Sequence, residues 1–178
     1  MKIIAGTKKG HTIVGPKGNV TRPLTGRVRE ALFSSLGGVV EGATVADLFA
    51  GSGSIGLESL SRGAASVVFV EIDRRVGKIL RRNVEKIGLG GTVVSSRVES
   101  FLAKTKARFD LVFVDPPYAM SDAEVAAIVE QVSLVLDDNG LVVLHRRVGQ
   151  SKPVTSLSIM HERRYGDAVI WRLEKDTP

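Results

Sequence analysis

The sequence predicts an α/β fold, an open and mainly parallel sheet covered by helices on both faces, and three observations carry that prediction. Apolar runs alternate with helical patterns from Thr44 to His145. The stretch Asp47 to Glu58, DLFAGSGSIGLE, feeds an apolar strand through a glycine-rich turn into a helix. A second acidic strand end, Asp115-Pro116-Pro117-Tyr118, follows the apolar run Leu111 to Val114. In a doubly wound sheet ligands bind where the strand order reverses, so the two acidic strand ends are expected to face one pocket there.

The alternation reads as strand 44–49, helix 54–62, strand 66–71, helix 74–87, strand 92–95, helix 98–104, strand 109–115, helix 121–135 and strand 140–145. Ser54 is the expected N-cap of the first of these helices. Val154 to Met160 and Ala168 to Leu173 read as two final strands, an antiparallel hairpin around Arg163 to Asp167, with Trp171 in the core. Ahead of the sheet, Thr25 is placed to cap a helix from about Gly26 to Leu36, which turns Val28, Leu32 and Leu36 inward. Before that, Lys2 to Ala5 and His11 to Val14 are short β-like runs around Gly6 to Gly10. They predict a hairpin too small to stand alone, which must fold against the main body. The expected organisation is a basic extension over residues 1–20 and one α/β domain over residues 21–178.

Composition narrows the function classes. The 178 residues, 43% of them hydrophobic, suit one well-packed domain with a small appendage. No apolar run approaches the ~18 residues of a membrane span, and Met1 to Ile4 is too short to begin a signal peptide, so a cytoplasmic protein is expected. With no cysteine there is no disulfide framework, thiolate zinc site or cysteine nucleophile. His11, His145 and His161 are too scattered for a metal site, and a surface or internally bonded histidine is the plainer reading. The net charge of +6 is concentrated: Lys2, Lys8, Lys9, Lys17, Arg22, Arg27 and Arg29 fall within residues 1–29, which contain no Asp or Glu. A basic arm with patterned apolar segments points to a nucleic-acid surface, and a solvated chain start is the alternative.

The chemistry is concentrated at the strand ends. Gly51, Gly53 and Gly56 satisfy G-x-G-x-x-G, and Glu71 lies twenty residues after Gly51, where a dinucleotide fingerprint has its ribose-binding acid. A nicotinamide or flavin cofactor is therefore one reading. Asp47 beside the turn argues for another, because a carboxylate there repels a pyrophosphate and attracts the ammonium and sulfonium of S-adenosylmethionine. Glu71 can accept from two ribose hydroxyls, and Asp73 either assists it or caps the next helix. Val98 is expected near the nucleoside base. Arg29 is a candidate for the cofactor carboxylate, with a surface pair to Glu30 or another acid as the plainer alternative. In D-P-P-Y, Asp115 and the Pro116 carbonyl are acceptors for an exocyclic amine, Pro117 stiffens the turn, and Tyr118 offers a ring for a base to stack upon. No metal is required.

Over nearly its whole length the chain resembles the RsmD family of bacterial 16S ribosomal RNA guanine-N2 methyltransferases. The resemblance lies in I-I-A-G-x-x-K-G, T-R-P-L-T-G-R-V-R-E-A-L-F, D-L-F-A-G-S-G-S-I-G-L-E-S-L-S-R-G-A, V-E-I-D and D-P-P-Y. It implies a Rossmann-like class I S-adenosylmethionine-dependent methyltransferase with a mixed seven-stranded sheet and a small N-terminal RNA-binding β-hairpin. It also implies N2-methylguanine as product, made in 16S ribosomal RNA within the small subunit or an assembly intermediate. Carried over by position, Asp47, Ala50, Gly51 and Gly53 surround the methionine part of the cofactor and Glu71 its ribose. Asp115 to Tyr118 take the target base, and Lys2, Lys8, Lys9, His11, Lys17 and Arg22 lie on the RNA side. Leu24 stands where the family usually has threonine, and Arg97-Val98 where many relatives have an acidic residue. Three alternatives stay open at this point: an adenine-N6 methyltransferase, a nicotinamide-dependent reductase, and a noncatalytic RNA-binding assembly factor.

Overall fold

The computed structural model describes residues 1–16 and 24–176. In chain order the elements are α1 (Gly26–Leu36), a 3-10 turn (Gly37–Val40), β1 (Thr44–Leu48), α2 (Ser54–Ser61), β2 (Ser66–Val70), α3 (Arg74–Ile87) and β3 (Thr92–Val94). There follow α4 (Val98–Leu102), β4 (Phe109–Val114), α5 (Asp122–Ser133), β5 (Leu136–Arg147), β6 (Leu157–Tyr165) and β7 (Ala168–Lys175). The seven strands form one sheet in the order β3-β2-β1-β4-β5-β7-β6. Neighbours from β3 through β5 are parallel, and β7 runs antiparallel to both β5 and β6.

Strand order reverses between β1 and β4, and their register pairs Leu48 with Val114, so the chain leaves both strands side by side. Because strand side chains alternate, Val45, Leu111 and Phe113 pack with α1 and α2, while Ala46, Leu48, Val112 and Val114 pack with α5 on the other face. Both faces of the central strands are covered, which is why they read as continuous apolar runs. Asp47 takes the parity of Val45 and is therefore turned towards α2.

Local signals hold at several helix starts. Thr25 accepts from the Val28 amide at 3.4 Å, Asp73 from Arg75 and Val76 at 2.7 and 2.9 Å, and Ser121 with Glu124 closes a capping box on α5. Ser54 is different: it is already helical, and the cap position belongs to Gly53 in the left-handed region at φ 82° with no side-chain bond. The final hairpin is also tighter than its sequence suggests. Arg163 to Tyr165 continue β6, and only Gly166 and Asp167 turn, with Gly166 at φ 60°.

The N-terminal arm folds back on itself as a short antiparallel pair: Lys2 bridges Thr12, Met1 and Ile13 each donate to the other's carbonyl at 3.0 and 2.9 Å, and the Ile3 amide donates to the His11 carbonyl at 3.0 Å. Its remaining amides dock the pair on α2. Ile4 and Ala5 donate to the two carboxylate oxygens of Glu58 at 2.7 and 3.0 Å, and Thr7 and Lys8 donate to the Ser61 carbonyl and hydroxyl at 2.8 and 3.0 Å. The arm is thus bonded both to itself and to α2, and Ile3 and Ile13 enter the core cluster of Leu32, Phe33 and Leu57. Gly6 is where chain and helix touch: a Cβ there would lie 1.6 Å from the Ser61 carbonyl oxygen.

Candidate active site

The glycine turn owes much of its composition to packing. A Cβ on Gly53 would lie 2.5 Å from Leu80, and one on Gly56 would lie 2.3 Å from Phe69. Gly51, at φ 56°, meets nothing closer than 4.0 Å, so its face is open for a ligand to approach the backbone. Phe49 also takes a positive φ, 63°, which makes the exit from β1 a strained turn. Ala50 is buried and donates to the Val70 carbonyl at 2.9 Å, fastening the turn to the end of β2.

Glu71 spans this turn. One carboxylate oxygen accepts from the Gly51 amide at 2.9 Å and the other from the Asp73 amide at 2.8 Å. Asp47, 1% exposed, accepts from the Gly56 amide at 2.9 Å inside α2. Burial pushes its carboxyl well above the ordinary range; the Gly56 amide opposes that shift, and the charges of Asp115 and Glu71 add to it. The three acids therefore share one crevice, and among the described residues no Lys or Arg comes within 4.0 Å of any of them. Such a field suits a sulfonium and an ammonium and opposes a pyrophosphate. The residues present fit S-adenosylmethionine and do not fit a dinucleotide.

Asp115 leaves β4 beside this crevice and bonds a histidine to which the sequence assigned no catalytic part. His145 Nδ1 lies 2.7 Å from Asp115 Oδ1, and the imidazole is 3% exposed. Tyr118 places its hydroxyl 3.5 Å from His145 Nε2, with the two rings at 68°. A carboxylate only accepts, so Nδ1 carries the shared proton, and a neutral ring then offers Nε2 as acceptor to Tyr118. The next residue, Arg146, points to the opposite face and fastens the loop, donating to the carbonyls of Met120 at 2.7 Å and Pro117 at 3.4 Å and to Asp122 at 3.2 Å. Gln150 adds a bond to the Tyr118 carbonyl at 3.1 Å. The end of β5 thereby holds the whole D-P-P-Y turn.

Tyr118 and His145 open onto a cavity of about 570 Å³, walled on one side by Leu24, Arg27 and Val28 and on the other by Tyr165 and Asp167. That volume is of the size that takes a nucleotide-sized ligand.

The remaining sequence candidates fall as follows. Asp73 is committed to capping α3, and those amide bonds hold its carboxyl below the ordinary range. Val98 begins α4, buried in the cluster of Leu48 and Val70. Arg29 is buried where a surface pair was the alternative, and the acid beside it is Glu58, not Glu30: the arginine is 2% exposed, donates to the Lys2 carbonyl, and has Nε 4.0 Å from Glu58. Its contacts are with the arm and α2. Lys2, Lys9 and His11 are exposed on the arm and Lys8 is half-buried, whereas Lys17 and Arg22 lie outside the described residues. No group of acids and histidines that could hold a metal occurs among the described residues, and no helix among them is long and apolar enough to cross a membrane.

Fold and crevice together define a class I methyltransferase, a Rossmann-like sheet with an acidic crevice and the D-P-P-Y turn at its switch point. A family model described as Conserved hypothetical protein 95 matches residues 1–174. The chain is 35% identical to Ribosomal RNA small subunit methyltransferase D of Escherichia coli, covering 97% of this chain and 88% of that one, and 31% identical to Bacillus subtilis YlbH, covering 93% and 94%. Among solved structures, Escherichia coli yhhF superposes with a TM-score of 0.88 at 33% identity, covering 99% and 98% of the two chains. A hypothetical protein of Thermus thermophilus gives 0.85 at 32%, covering 98% and 99%. The chain belongs to the RsmD family of methyltransferases.

Proposed function

We propose that this protein transfers a methyl group from S-adenosylmethionine to the exocyclic N2 amine of a guanine in 16S ribosomal RNA of the small subunit. The observation that carries this reading is the Asp115–His145 bond beside the acidic crevice of Asp47 and Glu71. The name of the Escherichia coli relative, at 35% identity, supports the RNA class.

In this reading Asp47, Ala50, Gly51 and Gly53 hold the amino-acid end of the cofactor and Glu71 its ribose, with Val98 against the base. Bound S-adenosylmethionine supplies an electrophilic methyl on a sulfonium. The chain's own contribution is to present the amine. Asp115 Oδ1 is occupied by His145, so Oδ2 and the Pro116 carbonyl accept the two amine hydrogens and aim the nitrogen lone pair at the methyl. As the N–C bond forms and the sulfur–methyl bond breaks, leaving a neutral thioether, the nitrogen becomes positive, and Asp115 Oδ2 stabilises that charge and takes the departing proton. Tyr118 gives the base a ring to stack upon. Residues 1–20, with Lys2, Lys8, Lys9, His11 and Lys17, and then Arg22, contact the RNA backbone as a basic extension of the domain over residues 21–178.

Asp115→Ala tests the assignment. It is expected to keep cofactor affinity, measured by calorimetry, and to lose transfer of labelled methyl to small-subunit RNA. Parallel loss of cofactor binding would contradict the role.

A further inference from the structure

The α1 side of the β6–β7 hairpin carries a second charged feature. Strand alternation puts His161, Arg163 and Tyr165 on the face that meets α1, with Arg172 beside them on β7. Glu162 and Arg164 point to the other face. There Glu162 accepts from the Trp171 indole at 3.0 Å and pairs with Lys152 at 3.0 Å and Arg164 at 3.2 Å, so that face is neutralised. On the α1 face, Arg163 and Arg172 form no ion pair within 4.0 Å among the described residues. Burial holds the Arg172 guanidinium below its ordinary range and the charge of Arg163 adds to that, while Tyr165 and Glu174 act against it. Arg172 is also anchored, donating to the Ser35 hydroxyl on α1.

Tyr165 lines both the cleft at Arg163 and Arg172 and the 570 Å³ cavity at Tyr118 and His145. The α1 wall runs from Thr25 at one end to Ser35 at the other, roughly 15 Å at 1.5 Å per helical residue. Two neighbouring guanidiniums lacking a carboxylate partner, one of them fixed by the helix, are complementary to a phosphate backbone. The same α1 wall also lines the cavity beside Tyr118, whose ring is proposed to stack on the target base.

We infer that the groove between α1 and the β6–β7 hairpin carries the single-stranded RNA adjoining the target nucleotide, with Arg163 and Arg172 on its phosphates. The inference rests on the RNA reading above and adds a contact surface separate from the N-terminal arm.

The test is the salt dependence of binding to a 16S RNA transcript. Arg163→Gln is expected to reduce the slope of log affinity against log salt by about 0.7 to 0.9, one phosphate contact, and adding Arg172→Gln to reduce it by about twice that. Arg163→Lys keeps the wild-type slope, Arg164→Gln on the neutralised face leaves it unchanged, and all variants bind S-adenosylmethionine normally. An unchanged slope in Arg163→Gln would overturn the inference. So would an equal drop in Arg164→Gln, which would reduce the effect to net charge. A loss seen on assembled subunits and not on the transcript would assign the groove to a ribosomal protein and overturn it as well. Arg163 is exposed, so its single variant decides even if the double variant folds poorly. Methyl transfer by the unaltered protein reports separately on the proposed function.

Discussion

Glu58→Gln is expected to release the N-terminal arm, and its size follows from the contacts. Glu58 is 0% exposed, and its two oxygens accept from Ile4, Ala5 and Arg62 at 2.7, 3.0 and 2.8 Å, with Arg29 Nε at 4.0 Å. A glutamine of the same shape has one acceptor oxygen. Whichever way the amide turns, its NH2 group faces a backbone N–H, and that unmet donor costs about 1 to 3 kcal/mol. Arg29, 2% exposed, also loses its carboxylate, and breaking a buried pair costs about 3 to 5 kcal/mol. The two costs share one residue and do not add, so roughly 3 to 5 kcal/mol is the expected loss. In a domain of this size each kcal/mol moves Tm by about 2 to 4 °C, giving a fall of roughly 6 to 20 °C. Undocking the arm relieves part of the loss, so hydrogen exchange should show the Ile4, Ala5, Thr7 and Lys8 amides unprotected before the sheet opens. Full protection of those amides with Tm within about 2 °C of the parent, against the roughly 6 °C minimum expected, would refute the reasoning.

His145→Leu should lower kcat at least tenfold with cofactor affinity unchanged, and His145→Asn should recover part of it by restoring an N–H donor to Asp115; equal activity of Leu and Asn variants in steady-state methyl transfer would contradict the positioning role. Asp47→Asn keeps an acceptor for Gly56 and removes a charge whose carboxyl is held well above the ordinary range by burial. A raised folded-state pKa contributes stability at low pH that is lost as pH rises, so the variant should gain in Tm over the parent from acid towards neutral pH while binding S-adenosylmethionine more weakly; a Tm loss at neutral pH would count against it. Glu162 is held down at about 2, first by the Trp171 indole N–H and then by Lys152. A depressed pKa contributes stability above its unfolded value that is lost as pH falls, so Tm should drop between pH 4.5 and about 2, and Glu162→Gln should flatten that part of the curve.

The sheet and its crevice were legible because their signals are local. Apolar runs ending in Asp47, Glu71 and Asp115 mark strand ends, and Thr25 and Asp73 mark helix starts. What the sequence concealed depends on register and docking. His145 follows the apolar run of β5 just as Asp115 follows that of β4, and the pairing of Val114 with Leu144 makes them neighbours; two strand ends in step were the available signal. Glu58 gave none, since a glutamate in a short helix reads as a solvated face until a separate segment buries it. The arm's pairing with itself was legible from its two short β-like runs, but its docking partners, Glu58 and Ser61, lie more than fifty residues along the chain.

The central claim is that Asp115, set by His145, presents a guanine amine to a methyl donor held at Asp47 and Glu71. The most direct measurement is nucleoside mass spectrometry of 16S RNA from undermethylated small subunits, incubated with this protein and labelled S-adenosylmethionine. The account predicts label in N2-methylguanosine, abolished by Asp115→Ala. Label in N6-methyladenosine, or none in the RNA, would contradict it.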